Sequence, residues 1–99
     1  MQSAYAKSFE REMGCTEPEW LGWLPNAIGE HHWKLHTRSA QVRIGDGALD
    51  LTWRTEAPRA IAMVRIPRLV VNFRFSGLDG AQRYTFMKRF DLYMQRGGG

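Results

Sequence analysis

The chain has 99 residues, 43% of them hydrophobic, and a formal net charge of +4. These values are typical of one basic globular domain, which we expect over residues 1–96 ahead of a disordered glycine tail at 97–99. A single cysteine, Cys15, excludes an internal disulfide framework and a thiolate metal site. The sequence shows no visible signal peptide and no apolar run approaching the roughly 20 residues of a membrane span. We therefore expect a cytoplasmic protein without a membrane partner.

The first predicted element is a short helix from Ser3 to Met13. Tyr5, Phe9 and Met13 recur every four residues, as on one face of a helix. Ser3 can cap this helix, and Gly14 is placed to end it.

A second short helix is predicted to begin after Thr16. Thr16 and Glu19 have the spacing of a capping box, in which each side chain binds the other residue's backbone N–H. Because proline disfavours a helical conformation in the residue before it, Pro25 predicts a break at Leu24. One more turn then leads to an end at Gly29.

Two adjoining segments are predicted to form strands. In residues 30–37 the apolar Trp33 and Leu35 alternate with polar residues, which favours a strand. Residues 41–54 contain the dipeptide Asp46-Gly47 between alternating residues, the pattern of a type I′ hairpin. Counting outward from this turn pairs Ile44 with Leu49 and Val42 with Leu51 on the buried face, which Trp53 extends. The same count pairs Arg43 with Asp50 on the other face.

Residues 59–76, the longest β-prone run, are expected to form the centre of the sheet. A two-residue turn at Pro67-Arg68 would pair Ile66 with Leu69, Val64 with Val71, Ala62 with Phe73 and Ala60 with Phe75. This register places small residues against large ones on the core face. It turns Arg65, Met63, Asn72, Ile61 and Arg74 outward. The alternative is a single long edge strand that is bent or bulged at Pro67.

A long helix is predicted from about Gly80 to Gln95, capped by Asp79, with Phe86, Phe90, Tyr93 and Met94 on one apolar stripe. Together these elements predict a two-layer α+β domain. It would hold an antiparallel sheet of four or five strands, two short N-terminal helices and one long C-terminal helix.

No motif indicates catalysis or a cofactor, so we expect a protein that is not an enzyme. His32 and His36 are four residues apart, a spacing that chelates a metal on a helix. In a strand the same spacing separates them by roughly 13 Å, too far to share an ion. The two histidines are therefore only weak metal candidates.

Basic residues provide the clearest functional indication. Residues 1–30 carry a formal charge of −3 and residues 31–99 a charge of +7. We predict that an outward sheet face, basic and partly apolar, binds an acidic protein partner or a second copy of the chain. The predicted partner-binding residues are Arg43, Arg54, Met63, Arg65, Arg68, Asn72 and Arg74.

Two other functions also fit the sequence. A basic face could hold a nucleic-acid backbone without sequence specificity. The segment VVNFRFSG resembles the aromatic RNA-binding strand of the RRM family over a few residues. It lacks the glycines of that pattern, and the predicted register turns Phe73 and Phe75 into the core, where they could not stack on bases. The third possibility is a small enzyme or ligand carrier with a pocket lined by Trp20, Trp23, Trp33 or Trp53.

Overall fold

A computed structural model describes residues 4–96. Its elements, in chain order, are β1 (Ser8–Met13), α1 (Glu17–Ile28), β2 (Trp33–His36), β3 (Ser39–Ile44), β4 (Gly47–Ile61), β5 (Val64–Ser76) and α2 (Gly80–Arg96). The strands form one antiparallel sheet in the order β1-β5-β4-β3-β2. Both helices pack on one of its faces. The predicted α+β class is confirmed, with five strands and with two helices instead of three. Ser3 and the glycine tail lie outside the described residues.

Strand β1 replaces the helix predicted from Ser3 to Met13, so that prediction and the role of Gly14 as a helix end were wrong. A spacing of four residues places side chains on one face of a strand as well as of a helix, because four is an even number. The apolar spacing therefore fits both structures. Pairing with β5, in which Phe9 lies opposite Phe73 and Met13 opposite Leu69, decides for the strand.

Helix α1 begins at the predicted capping box. The backbone N–H of Glu19 donates to Thr16 Oγ1 at 3.2 Å, and the backbone N–H of Thr16 donates to Glu19 Oε1 at 2.8 Å. The break predicted at Leu24 is absent, since the helix continues through Pro25 to Gly29. Pro25 is exposed, and the turn around it fully buries Leu24 and two further apolar residues, which offsets the one backbone hydrogen bond that proline removes.

The predicted β2 strand and β3–β4 hairpin are confirmed, but the hairpin register differs by two residues. The turn is Gly45-Asp46, with Val42 opposite Leu49 and Gln41 opposite Asp50. Gly45 takes the left-handed φ of 55° at the first turn position, where glycine is favoured. Because the shift is an even number, each side chain keeps its predicted face.

The turn predicted at Pro67-Arg68, with its four pairings, was wrong. Residues 64–76 form one strand, and the β4–β5 turn is Ala62-Met63. This turn lacks glycine, and Ala62 itself adopts a φ of 53°, so no residue pattern marked it. Pro67 lies opposite a bulge between Glu56 and Arg59, where the hydrogen-bond ladder is interrupted and no N–H is needed. The alternative of a single bulged strand is the closer one, although β1 and β4 flank most of β5.

The β4–β5 ribbon extends beyond its neighbours. Strand β1 pairs with β5 only as far as Leu69, and β3 pairs with β4 only as far as Thr52. Residues 57–67, which we call the arm, therefore project from the body of the sheet. Pro58 and Pro67 lie on its two strands.

Helix α2 closes the core as predicted. Asp79 and Gln82 cap it reciprocally, with the Gln82 N–H donating to Asp79 Oδ1 at 2.8 Å. Its buried stripe includes Phe86, Phe90 and Met94. Trp20 packs edge-on against Trp53, with ring centroids 5.5 Å apart, and Phe90 packs in the same way on Phe73. The predicted burial of Trp53 is confirmed.

A partly buried polar contact fastens β1 and the residues before it to α2. The Tyr5 hydroxyl donates to Asp91 Oδ2 at 2.6 Å, and Arg11 Nη1 lies 2.5 Å from Asp91 Oδ1. Burial, and then the hydrogen bond to Asp91, raises the pKa of Tyr5 to about 12. Arg11 also lies over the ring of Phe73, so a cation on the inner face of β1 is matched by a carboxylate and an aromatic ring.

Candidate interaction surface

The sheet face opposite the helices, which we call the open face, is covered by two polar cross-strand rows. Residues that lie opposite one another in an antiparallel sheet share a face, so the register defines each row. The first row contains Lys34, Gln41, Asp50, Arg74 and Ser8, and the second contains His36, Ser39, Thr52, Asn72 and Glu10.

Closer to the arm, the open face is occupied by ion pairs. Glu12 Oε1 lies 3.0 Å from Arg59 Nη2 and 3.1 Å from Arg68 Nε. The hydrogen bond from Arg68 is the largest cause of the lowered pKa of Glu12. Arg54 lies 3.6 Å from both Glu10 and Glu56.

These contacts make the open face less basic than the sequence indicated. Arg54 and Arg68, both predicted to bind a partner, already contact acids of the chain itself. Two of those acids, Glu10 and Glu12, belong to β1, which the sequence had assigned to a helix. Because the sequence predicted a helix for these residues, it did not indicate that the two acids share a sheet face with the arginines.

Three cations of the open face remain without an ion pair among residues 4–96: Lys34, Arg43 and Arg74. Arg74 borders a pit of about 360 Å³. The other lining residues are Ser8, Asp50, Thr52, Asn72 and Phe73.

Within the pit, Asp50 lies directly across the strands from Arg74, yet the two side chains form no ion pair among the described residues. Asp50 instead accepts a hydrogen bond from Gln41 Nε2 at 3.1 Å. Sequence reasoning missed Asp50 because the shifted register had placed it opposite Arg43. The pit thus presents a positive and a negative group side by side, with neutral polar groups around them.

The arm supplies the apolar part of the surface. Ile61 and Val64, paired at its end, are 54% and 58% exposed, and Met63 in the turn is 98% exposed. Strand alternation places Ile61 and Val64 on the open face and Arg65 on the opposite side of the arm. The prediction that Arg65 and Arg74 share a face was therefore wrong.

Backbone features of the arm oppose the addition of another strand. Past residue 54 of β4 and residue 69 of β5, neither edge has a neighbouring strand among the described residues. Pro58, Pro67 and the bulge lie on these edges, and such features block edge-to-edge pairing. The arm is suited to contact through its side chains.

The remaining predicted site residues are spread over this surface. Asn72 and Arg74 line the pit, and Arg43 lies two residues beyond Gln41 on β3. Met63 lies at the end of the arm.

The histidines and tryptophans belong to other environments. The ring of His31 packs on Phe86 at 5.4 Å, whereas His36 lies in the second polar row. Within residues 4–96 there is no group of three or more His, Cys, Asp or Glu arranged to hold a metal ion. Trp20 and Trp53 pack against each other in the core, so these two side chains do not line the predicted pocket.

Comparison with protein-family models, with curated proteins and with solved structures finds no match to this chain. No helix in the described part of the chain is long and apolar enough to cross a membrane.

Proposed function

We propose that this protein is a non-enzymatic interaction module that binds an acidic segment of a protein partner along its open face. The supporting observation is that one uncovered face carries unpaired cations at one end and an exposed apolar group at the other. Arg43 and Arg74 would contact acidic side chains of the partner, and Met63 at the end of the arm would enter an apolar site on it. Arginine and methionine are enriched in protein interfaces.

The exposed side chains of the arm favour a protein over a nucleic acid as the partner. Ile61, Met63 and Val64 form a contiguous apolar group, a feature that marks interaction sites. Nucleic-acid platforms stack bases on exposed aromatic rings. Phe73 and Phe75 are buried on the helix side, in agreement with the sequence, and cannot serve in this way.

A second copy of the chain is a weaker candidate partner. Strand addition is the simplest way for two sheets to associate, and the prolines of the arm oppose it. We propose a cytoplasmic location, which the single free and buried thiol, Cys15, is compatible with.

Selection from a phage-displayed library of random peptides tests this function. We expect enrichment of peptides that combine Asp or Glu with large apolar residues. Binding of those peptides should weaken at least about tenfold in the double variant Arg43→Glu/Arg74→Glu and in Met63→Asp, since each removes contacts worth more than about 1.4 kcal/mol.

A control away from the open face is Lys88→Glu, which reverses one charge on the exposed side of α2. It should bind the selected peptides as the wild-type protein does. Failure to enrich acidic peptides, or equal binding by the wild type and the open-face variants, would contradict the proposed function. Sedimentation equilibrium of the free protein should give a monomer; a dimer that Met63→Asp dissociates would assign the arm to self-association instead.

A further inference from the structure

The pit on the open face combines groups of opposite charge that do not neutralise each other. Arg74 offers a planar fork of N–H donors, which matches a carboxylate in two-point contact. Asn72, Thr52 and Ser8 can donate further hydrogen bonds from the same pit. These groups together can bind a carboxylate.

Asp50 adds a requirement that a simple anion site would not have. Its Oδ1 accepts a hydrogen bond from Gln41, and the carboxylate retains further acceptor capacity toward the pit. An anion bound to Arg74 must therefore bring an N–H donor for Asp50, or it is repelled by the neighbouring negative charge. An acidic residue in an extended peptide meets this requirement, because its backbone N–H lies close to its own side chain.

A DNA backbone does not meet the requirement. Deoxyribose and phosphate offer no donor beside the phosphate oxygens, and successive phosphates repeat the negative charge along the strand. Specificity through a group that repels the wrong ligand is a common device at natural interfaces. Asp50 has the position and the charge for this role.

We propose that the pit binds the carboxylate of an Asp or Glu side chain in the partner's acidic segment, and that Asp50 selects such a peptide over a nucleic-acid phosphate. Arg74 holds the carboxylate, Asn72 and Ser8 donate to it, and Asp50 accepts the adjacent backbone N–H. This assignment rests on the proposed function and specifies where on the open face the acidic residue of the partner is bound.

Fluorescence anisotropy with two labelled probes tests the assignment. One probe is a peptide of alternating Glu and Val, and the other is oligo(dT) with the same number of negative charges. Wild-type protein should bind the peptide more tightly. Arg74→Gln should weaken peptide binding about tenfold, in line with the loss of a hydrogen-bonded charge contact. The peptide affinity of Arg74→Lys should lie between those of the wild type and Arg74→Gln, because lysine keeps the charge and lacks the planar fork of donors.

Asp50→Asn is the decisive variant. It should weaken peptide binding severalfold, because a neutral amide oxygen is a weaker acceptor for the peptide N–H than a carboxylate. It should strengthen oligo(dT) binding severalfold, because the repulsion between Asp50 and the phosphate is removed. Asp46→Asn, in the exposed β3–β4 turn, changes net charge by the same amount and should strengthen oligo(dT) binding less than Asp50→Asn does. Unchanged melting temperatures would confirm that the variants are folded.

The possible outcomes distinguish a failure of the pit assignment from a failure of the proposed function. If Arg74→Gln binds the peptide as wild type does while Met63→Asp does not, the pit assignment is overturned and the proposed function stands. Equal effects of Asp50→Asn and Asp46→Asn on oligo(dT) would overturn the selective role of Asp50. If the wild-type protein prefers oligo(dT), or does not bind the peptide, the proposed function itself fails.

Discussion

Replacing Tyr5 by phenylalanine removes one hydroxyl group from the contact that fastens β1 to α2. The aromatic ring remains, with its neighbours Phe9 at 6.1 Å and Tyr84 at 6.4 Å between ring centroids. Only the 2.6 Å hydrogen bond to Asp91 is lost. The variant therefore isolates one interaction in a part of the fold that the sequence had assigned to a helix.

The expected cost follows from the charge of the acceptor. A hydrogen bond to a charged group contributes about 1.5–3 kcal/mol to stability. Asp91 keeps its contact with Arg11 at 2.5 Å, so its charge is not left without a partner. We therefore expect a loss of about 2 kcal/mol in the free energy of unfolding. For a domain of this size that loss lowers the melting temperature by about 10 °C.

The pKa of Tyr5 adds a dependence on pH. Its value in the folded protein is raised from 10.0 to about 12, so the folded protein holds the phenolic proton more tightly than the unfolded chain does. The stabilisation is complete below pH 10 and is lost as the pH rises from 10 through 12. The stability difference between the wild type and Tyr5→Phe should therefore shrink over this interval.

Urea denaturation followed by circular dichroism, at neutral pH and at several alkaline pH values, measures both effects. Tyr84→Phe is the control, because the Tyr84 hydroxyl makes no hydrogen bond within residues 4–96 and its removal should change stability little. A cost below about 0.5 kcal/mol for Tyr5→Phe, the size of an ordinary surface substitution, would refute the reasoning. A stability difference that is constant from pH 10 to 12 would refute the role of ionisation.

Three further predictions concern two glycines and the thiol. Gly22→Ala should stabilise the protein by about 0.5–1 kcal/mol, because it lies in α1 with no atom within 4 Å of the added Cβ. Gly47→Ala should destabilise it by about 1–3 kcal/mol, because its Cβ would lie 2.7 Å from the backbone oxygen of Gly77; the reverse order in urea denaturation would contradict this packing. Burial raises the pKa of the Cys15 thiol to about 11, so an aromatic disulfide reagent should react with the native protein far more slowly than with the urea-unfolded chain, and equal rates would show that the thiol is accessible.

Among the candidate site residues, sequence reasoning placed Asn72, Arg74 and Arg43 on the correct face. Alternation along a strand depends on the chain's own geometry, so Asn72 and Arg74 keep one face along β5, and the even error in the β3–β4 register left the face of Arg43 unchanged. The same reasoning missed Asp50 as the neighbour of Arg74, and it missed the acids that pair with the arginines. Those relations depend on which strands lie side by side.

What the sequence determined by itself was local structure. The capping box at Thr16, the cap at Asp79 and the apolar stripe of α2 involve residues within a few positions of one another, so their pattern is complete in a short segment. The α+β class followed from the order of these segments.

Only the tertiary structure decided between a helix and a strand for residues 8–13, because their apolar spacing fits both and the pairing with β5 spans most of the chain. It also decided the position of the β4–β5 turn, since Ala62 accepts a left-handed conformation without the glycine that normally signals one. Once β1 was placed beside β5, Glu10 and Glu12 came to lie next to Arg54 and Arg68. The net charge of a sheet surface depends on the charges of all the strands that lie side by side in it. Because these strands are distant in sequence, their sum does not follow from the order of residues along the chain.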